Sequence, residues 1–273
     1  MIYKIPEDWY EWMLPYGLGK KGAVADKVVA VLGPEKAYEL EEIARAHFLE
    51  HEIRLHPGMK VEMELEEEYE ELGDAQRRRE IIEEGEKILE SRIEEFDNVV
   101  EDTILKLAIG PERDSRTGMY YTIYGNIVQI GFGNSRRKTF ESLMRKIELR
   151  FARENQKPVR DIYRTTIIAE CPYRVLNKIL DQGELELVGG RDYYDPEDRR
   201  CWKVDRDYSP MIGTGSKRNG YKSLNCDFRH VNGNAPLTFE VQIRDPGAEK
   251  IAHFGSAAHR LYKEKQAETL AAQ

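Results

Sequence analysis

The sequence predicts an α+β protein, with a helical N-terminal region followed by a mixed β-sheet flanked by helices. Two observations support this prediction. Apolar residues recur at helical spacing over residues 34–55 and 74–96, whereas after residue 118 short apolar runs of strand length alternate with short helical patterns. The stretch 110–118 is polar and rich in turn residues, so we place the domain boundary there, between residues 1–112 and 113–273.

The N-terminal elements have recognisable start and stop signals. Pro34 suits the first position of a helix, and His56-Pro57-Gly58 is expected to end that helix. A second helix is predicted from Asp74, as its N-cap, to about Phe96, and the helical pattern continues over residues 99–109.

The C-terminal elements begin with a predicted hairpin over residues 119–132, whose turn is Gly125-Asn126. Ser135 is expected to cap a helix over residues 136–154, and residues 161–169 are predicted as a strand. The remaining predictions are a helix over 173–181, strands near 185–188, 201–204, 224–231 and 237–243, and a closing helix over 247–264.

Composition narrows the class of protein. The chain has 273 residues, of which 40% are hydrophobic, and no window approaches 18 consecutive apolar residues. We therefore expect a core of ordinary size and no membrane span. The N-terminus lacks the apolar core of a secretory signal. The three cysteines match neither a zinc spacing nor a disulfide framework, so a cytoplasmic location is expected.

The net charge of −8 conceals an asymmetry. Residues 1–110 contain 14 Lys and Arg against 28 Asp and Glu, whereas residues 111–273 contain 28 against 22. The basic half suits a polyphosphate ligand or an RNA end. The two unlike halves suggest two separate roles, but the charge runs of the acidic half by themselves favour a solvated helical face.

Two candidate clusters precede residue 165. Arg136, Lys138, Ser142 and Lys146 have spacings that would line one face of a helix, where they could grip a triphosphate; the alternative is a basic helix that faces water. Asp161 begins a predicted strand and is a candidate Mg²⁺ ligand, because Mg²⁺ prefers oxygen ligands; the alternative is an ordinary turn aspartate.

Two further clusters follow. Residues 217–225 read KRNGYKSLN, in which Tyr221 offers a flat face for stacking on a base; the alternative is a tight turn before a strand. Glu240 and Gln242 are two residues apart in the strand-like run EVQIR and so share one face; the alternative is an amphipathic strand that faces solvent.

These four motifs, in this order, resemble the RelA/SpoT alarmone synthetases over about residues 130–265. The resemblance implies a nucleotidyltransferase-like synthetase domain that transfers pyrophosphate from ATP to the 3′-hydroxyl of GDP or GTP, producing (p)ppGpp. No His-Asp pair of the family's hydrolase type is found in the sequence, which implies a synthetase without hydrolase activity.

The resemblance also implies residue roles. Asp161 and Glu240 would be catalytic and would bind one shared Mg²⁺, with Glu240 also a candidate general base. ATP would be held by Arg136, Lys138, Ser142, Lys146 and Arg164, and the acceptor by Lys217, Asn219, Tyr221, Lys222, Asn225 and Gln242.

Two positions within these motifs depart from the family pattern. Thr166 stands where housekeeping synthetases usually have arginine, so either Arg164 substitutes for it from the same strand face or adenine is held differently. Asn225 stands where the family usually has histidine, so the contact with the acceptor's 5′-phosphates is altered.

Three alternatives stay open. The first is a toxic relative that makes adenine alarmones or pyrophosphorylates the 3′ end of tRNA, and the second is a non-catalytic module that senses nucleotides. The third concerns the N-terminal helices, which could regulate the enzyme, mediate self-association, or shield the basic site as an antitoxin would.

Overall fold

The computed structural model describes residues 21–55, 74–107, 112–113, 119–124, 126–131, 137–152, 157–202, 204, 206–217, 219–231 and 237–254. The chain divides into two compact units, each assembled from two stretches of sequence: Met1–Glu95 with Arg137–Ile162, and Phe96–Arg136 with Tyr163–Gln273. The domain boundary predicted between residues 112 and 113 stays a prediction. No helix within the described residues is long and apolar enough to cross a membrane.

The first unit is helical in its described part. Its helices are α1 (Ala23–Leu32), α2 (Pro34–Leu55), α3 (Asp74–Glu90) and α5 (Phe140–Ala152), and α4 (Ile93–Val99) begins in it. The predicted bounds of α2 are confirmed. The side chain of Glu41 on α2 accepts the backbone N–H groups of Val24 and Ala25 at 2.7 and 2.8 Å, so it satisfies two amides at the start of α1.

The second predicted helix was expected to run unbroken from Asp74 to Phe96, and this is wrong. The helix ends at Glu90, because the side chain of the next residue, Ser91, competes for a helix carbonyl: its hydroxyl donates to the carbonyl of Ile88 at 2.6 Å. Arg92 then donates to the carbonyl of Val31 at 2.7 Å. After α4, a π-helical turn (Val100–Ile104) and a 3₁₀ turn (Leu105–Leu107) follow.

The described part of the second unit contains two sheets. In the first, β1 (Glu112–Arg113), β2 (Met119–Tyr124) and β3 (Asn126–Gly131) are antiparallel neighbours, which confirms the predicted hairpin. The second sheet has five strands in the order β4-β8-β7-β5-β6 and mixes parallel with antiparallel pairs. Its strands are β4 (Arg164–Ile168), β5 (Leu185–Asp192), β6 (Gly213–Thr214), β7 (Leu224–His230) and β8 (Leu237–Arg244).

Among its described residues, the second unit also contains helices α6 (Pro172–Asp181), α7 (Pro196–Cys201) and α8 (Pro246–Phe254). The mixed sheet with flanking helices is confirmed. The strand predicted near residues 201–204 is wrong, because Cys201 is the last residue of α7. Pro196 at the first position of α7 and the acidic pair Glu197-Asp198 in its first turn favour a short helix there.

The five-stranded sheet has one apolar and one polar face. Along β8, Phe239, Val241 and Ile243 are fully buried, while Glu240, Gln242 and Arg244 between them are half-buried. Strand β7 shows the same alternation. This period of two delivers the polar residues of neighbouring strands to a single face.

Candidate functional site

In the first unit, two lysines converge on one carboxylate. The ammonium of Lys146 donates to both oxygens of Asp161 at 2.6 Å, and that of Lys138 lies 2.9 Å from Asp161 Oδ2. Burial alone would raise the pKa of Asp161, but the charges of Lys146 and Lys138 outweigh it and hold the pKa well below its usual range. Asp161 is therefore ionised at neutral pH.

The same cluster lowers the pKa of Lys146. Burial is the main cause, and it outweighs the opposing charge of Asp161; Lys138 and Arg150 lower the pKa further. Two ammonium groups thus contact one carboxylate in a half-buried place, where charges interact more strongly than in water.

Lys138 reaches this cluster from an extended segment and not from a helix. The predicted start at residue 136 is wrong, because α5 begins at Phe140. The N–H of Lys138 donates instead to the carbonyl of Ile162 at 2.8 Å, which brings Lys138 beside Asp161. The expected ladder of Lys138, Ser142 and Lys146 along one helix therefore holds only for the last two residues.

The start of α5 is determined by side chains around it. Glu86 of α3 accepts the N–H of Phe140 at 2.6 Å, and the N–H of Ser142 donates to the hydroxyl of Thr139 at 3.3 Å. The hydroxyls of Thr139 and Ser142 are themselves 2.9 Å apart, and Ser142 is exposed. These contacts satisfy amides that the first turn leaves without partners.

Arg137 links this segment to α3. Its guanidinium pairs with Glu86 and also with Glu90, the latter at 2.6 Å. Burial opposes the charged form of Arg137, but its hydrogen bonds to the two glutamates outweigh this and raise its pKa. Arg136, predicted to hold ATP, lies outside the described residues.

In the second unit, the predicted carboxylate Glu240 lies on the polar face of the five-stranded sheet. Gln242 donates its amide to Glu240 Oε1 at 2.5 Å, and Asn225 donates its amide to Glu240 Oε2 at 3.3 Å. Each carboxylate oxygen therefore accepts one amide N–H and keeps a further lone pair for another partner.

Neighbouring strands add polar residues to this face. In the sheet register Arg164 of β4 lies beside Glu240, and Thr166 lies beside Gln242. Residues beside each other in a sheet point to the same face, so Arg164 and Thr166 share that face, as expected. Asp227 of β7 lies opposite Glu240, and the sequence reasoning did not single it out.

Tyr221 has its ring beside two cations. The ammonium of Lys217 lies 4.4 Å from the centre of the Tyr221 ring and 4.9 Å from that of Tyr193. The guanidinium carbon of Arg244 lies 5.4 Å from the centre of the Tyr221 ring. Both arrangements are within the range of cation–π attraction.

Lys217 has its pKa lowered by this environment. Loss of water around its ammonium is the main cause; the charge of Glu240 opposes the effect, and Arg244 and Arg191 add to it. Lys217 therefore lies in the electrostatic environment of the predicted carboxylate.

The turn before Tyr221 has a local cause. Gly220 has φ 75°, a conformation that glycine adopts without steric cost, and Asn219 accepts the N–H of Tyr221 at 3.3 Å. The side chain of Asn219 therefore shapes the turn that presents Tyr221.

Lys222 is engaged elsewhere. Its ammonium pairs with Asp198 at 2.8 Å and with Asp195 at 3.1 Å, at and just before α7. The hydrogen bond to Asp198 is the largest cause of its raised pKa. Its predicted contact with acceptor phosphates stays a prediction, and that contact would compete with two carboxylates.

Besides Asp227, the sequence reasoning missed two residues of this site, Tyr193 and Arg244. Tyr193 meets Tyr221 edge to face, with ring centres 5.4 Å apart. It carries no periodic signal, because it follows the last residue of β5 and comes close only through the pairing of β5 with β7. Arg244 continues the alternation of Glu240 and Gln242, so the strand pattern predicted its face but not its role in the site.

The two carboxylates belong to different units, Asp161 to the first and Glu240 to the second. Their sharing of one Mg²⁺ stays a prediction. Within the described residues, no group of three or more His, Cys, Asp or Glu side chains is placed to hold a metal ion.

Comparison with known families gives one match. Residues 135–267 match the family model for the region found in RelA/SpoT proteins. This segment includes Asp161 and Glu240 together with all the other predicted site residues. No curated protein matches the chain. The match confirms the expected reaction class, which is transfer of a pyrophosphate group.

Proposed function

Because the chain carries a RelA/SpoT-type synthetase domain, we propose that it transfers pyrophosphate from ATP to the 3′-hydroxyl of GDP or GTP, producing (p)ppGpp and AMP. The observation that carries this proposal is the arrangement around Glu240, in which an oriented carboxylate is hydrogen-bonded through Asn225 to the residue that would stack on the acceptor base.

On the donor side, Lys138 and Lys146 bind the phosphates of ATP. Pyrophosphoryl transfer builds negative charge on phosphate oxygens, so positioned ammonium groups stabilise the transition state more than the ground state. Both lysines contact Asp161, which holds them in place for this task. Ser142 and Arg136 are proposed to extend the donor site, and Arg164 to contact the adenine.

On the acceptor side, the ring of Tyr221 stacks on the base, a contact typically worth about 1–3 kcal/mol per base. Lys217 contacts acceptor phosphates from its place over that ring. Glu240 is within the same hydrogen-bonded group and accepts the proton of the attacking 3′-hydroxyl as the general base. Asn219, Lys222 and Gln242 are proposed to complete this site.

The predicted Mg²⁺ ligands are Asp161 and Glu240. Their carboxylate oxygens are the ligand type that Mg²⁺ prefers, and Asp161 is kept ionised by its lysine neighbours. When bound, Mg²⁺ supplies positive charge to the phosphates of ATP.

We place the reaction in the cytoplasm. The three cysteines are free thiols, which is typical of a reducing compartment.

For the N-terminal helices we propose regulation of the donor side, because Glu86 and Glu90 of the acidic helix α3 pair with Arg137, the neighbour of Lys138. Glu90→Gln in the full chain removes one charge paired with Arg137 and keeps the helices, so it tests this regulation; unchanged turnover would contradict it.

A second candidate acceptor is an adenine nucleotide or the 3′ end of tRNA. It is favoured by Asn225, which is linked to Tyr221 and Glu240 and cannot become cationic as a histidine can. This argument applies to the 3′ end of tRNA, whose terminal nucleotide carries one 5′-phosphodiester charge, and not to ADP, which carries as many 5′-phosphates as GDP.

The deciding experiment incubates the full chain with γ-labelled ATP, Mg²⁺ and, in separate reactions, GDP, GTP, ADP or deacylated tRNA. We expect label in the guanine nucleotides together with release of AMP. Label confined to ADP or tRNA would reject GDP and GTP as acceptors. Tight ATP binding without labelling of any acceptor would instead favour a nucleotide-sensing module. The Glu240→Gln variant, which keeps the shape but removes the base, is the matched control and is expected to label nothing.

A further inference from the structure

We infer that Asn225 is a positioning residue, which fixes the Glu240 carboxylate to the hydroxyl of Tyr221 and does not bind the acceptor itself. The inference deepens the proposed function and rests on it. It assigns to a single amide the task of keeping the acceptor platform and the general base in one fixed relation.

The geometry is a closed ring of hydrogen bonds. The Tyr221 hydroxyl donates to Asn225 Oδ1 at 3.3 Å, and the Asn225 amide donates to Glu240 Oε2 at 3.3 Å. Gln242 donates to Glu240 Oε1 at 2.5 Å, and Arg244 donates both to Gln242 and, at 3.4 Å, to the hydroxyl of Tyr221. Each of the five side chains therefore contacts two others of the ring.

Strand register explains why this ring forms. Asn225 lies opposite Gln242 on β7 and β8, so Glu240 is its diagonal neighbour, at a distance that long side chains bridge. On its other side the backbone of β5 approaches closely, because a Cβ added at Gly190 would collide with the carbonyl oxygen of Asn225. Asn225 is thus held between two strands.

The chemistry of the amide suits this position. One end must accept from the Tyr221 hydroxyl and the other must donate to a carboxylate, and an amide supplies one group of each kind. A carboxylate at position 225 would repel Glu240, and an alkyl side chain would remove both hydrogen bonds.

Arg244 anchors the ring. Its guanidinium pairs with Glu249 at 2.7 Å as well as with the ring members, and only 11% of its side chain is exposed. Burial opposes its charge, but Tyr221 and Glu249 outweigh this effect and raise its pKa. The anchor is therefore a permanent cation, and the ring does not depend on its titration.

The test separates the ring of Tyr221 from its hydroxyl. Tyr221→Phe keeps the stacking surface and breaks the link to Asn225, whereas Tyr221→Leu removes the stacking surface as well. We expect Tyr221→Phe and Asn225→Ala each to lower kcat about tenfold, because each breaks the hydrogen-bonded link between the Tyr221 hydroxyl and the Glu240 carboxylate. The acceptor KM of both variants should change less than about threefold. Tyr221→Leu should in addition raise the acceptor KM.

Non-additivity is the sharper expectation. The double variant Tyr221→Phe/Asn225→Ala should lose no more kcat than either single variant, because both break the same link. Asn225→Asp, which keeps the size and removes the donor, should also lower kcat. Tyr38→Phe removes an exposed hydroxyl of α2 and is the matched control, expected to leave kcat unchanged.

Two results would overturn the inference. One is an Asn225→Ala variant with a raised acceptor KM and an unchanged kcat, which would mean direct contact with the acceptor. The other is a double variant whose losses multiply.

A readout without turnover separates this inference from the proposed function. If the unmodified chain labels no acceptor, the proposed function fails. The ring is then judged from the melting temperatures of the unmodified chain, Tyr221→Phe, Asn225→Ala and the double variant Tyr221→Phe/Asn225→Ala. If the ring exists, the double variant should melt at a higher temperature than is predicted by adding the melting-temperature losses of the two single variants. Additive losses of melting temperature would reject it.

Discussion

Helix α3 packs so closely against Phe140 that its Gly85 leaves no room for a methyl group. A Cβ built at Gly85 would lie 2.6 Å from Phe140 Cε2 and nearer still to Cδ2 and Cγ, distances at which something must shift. Phe140 is fully buried and has His47 edge-on to its ring at 5.3 Å, so the ring has little freedom to move. We predict that Gly85→Ala destabilises the protein.

The magnitude follows from two opposing effects. Replacing a helical glycine by alanine ordinarily stabilises by about 0.5–1 kcal/mol. Overpacking a buried site costs about 1–3 kcal/mol, and a contact this short belongs at the upper end of that range. The net loss is about 2 kcal/mol, which lowers the melting temperature by about 4–8 °C for a chain of this size.

The assay is thermal unfolding of the full chain. The control is a background in which Gly85→Ala should stabilise the protein and not destabilise it. Phe140→Ala removes the ring and by itself costs about 3–5 kcal/mol. In that background the added methyl group meets no ring, so Gly85→Ala should stabilise by about 0.5–1 kcal/mol. A Gly85→Ala protein that melts at or above the unmodified temperature would refute the steric argument, because helix propensity would then outweigh packing.

Three further predictions concern the site. Glu86→Ala removes the acceptor for the first amide of α5 and one partner of Arg137, so it should lower the unfolding free energy by about 1–2 kcal/mol and raise the KM for ATP. Glu90→Ala removes only a partner of Arg137 and should lower the unfolding free energy by less than about 0.5 kcal/mol. Equal losses for the two variants would contradict the capping role of Glu86. Asp161→Asn removes the shared partner of two lysines and a predicted Mg²⁺ ligand, so label transfer should fall at least about a hundredfold. Activity of the unmodified chain that survives chelation of Mg²⁺ would argue against the metal role. Tyr193→Leu should raise the acceptor KM about fivefold without changing the KM for ATP, because it removes one of the two rings beside Lys217, and Tyr193→Phe should be close to normal in steady-state kinetics.

The bounds of several elements were predictable because their signals are local. Pro34 and the helical spacing after it predict α2 to its last residue, and the alternation of polar and apolar residues from Phe239 to Arg244 predicts a strand with Glu240 and Gln242 on one face. Both patterns repeat with the period of a backbone conformation, so they require no knowledge of what packs against them.

The start of α5 was not predictable in the same way. The basic run before Phe140 is compatible with helix, and Ser135 is a plausible cap, yet the helix begins at Phe140. Glu86, more than fifty residues earlier in the chain, supplies the cap together with Thr139. A helix boundary set by a distant carboxylate leaves no mark in the local pattern.

The sequence by itself determined which chemical groups are available and, wherever a period of two or 3.6 is present, which of them share a face. It yielded Asp161, Glu240, Tyr221 and Asn225 as candidates. The tertiary structure decided their partners: two lysines on Asp161, two amides on Glu240, and Tyr193 beside Lys217. The physical reason is that spacing along the chain encodes direction, whereas contact between side chains distant in sequence depends on strand register and on the packing that brings separate segments together.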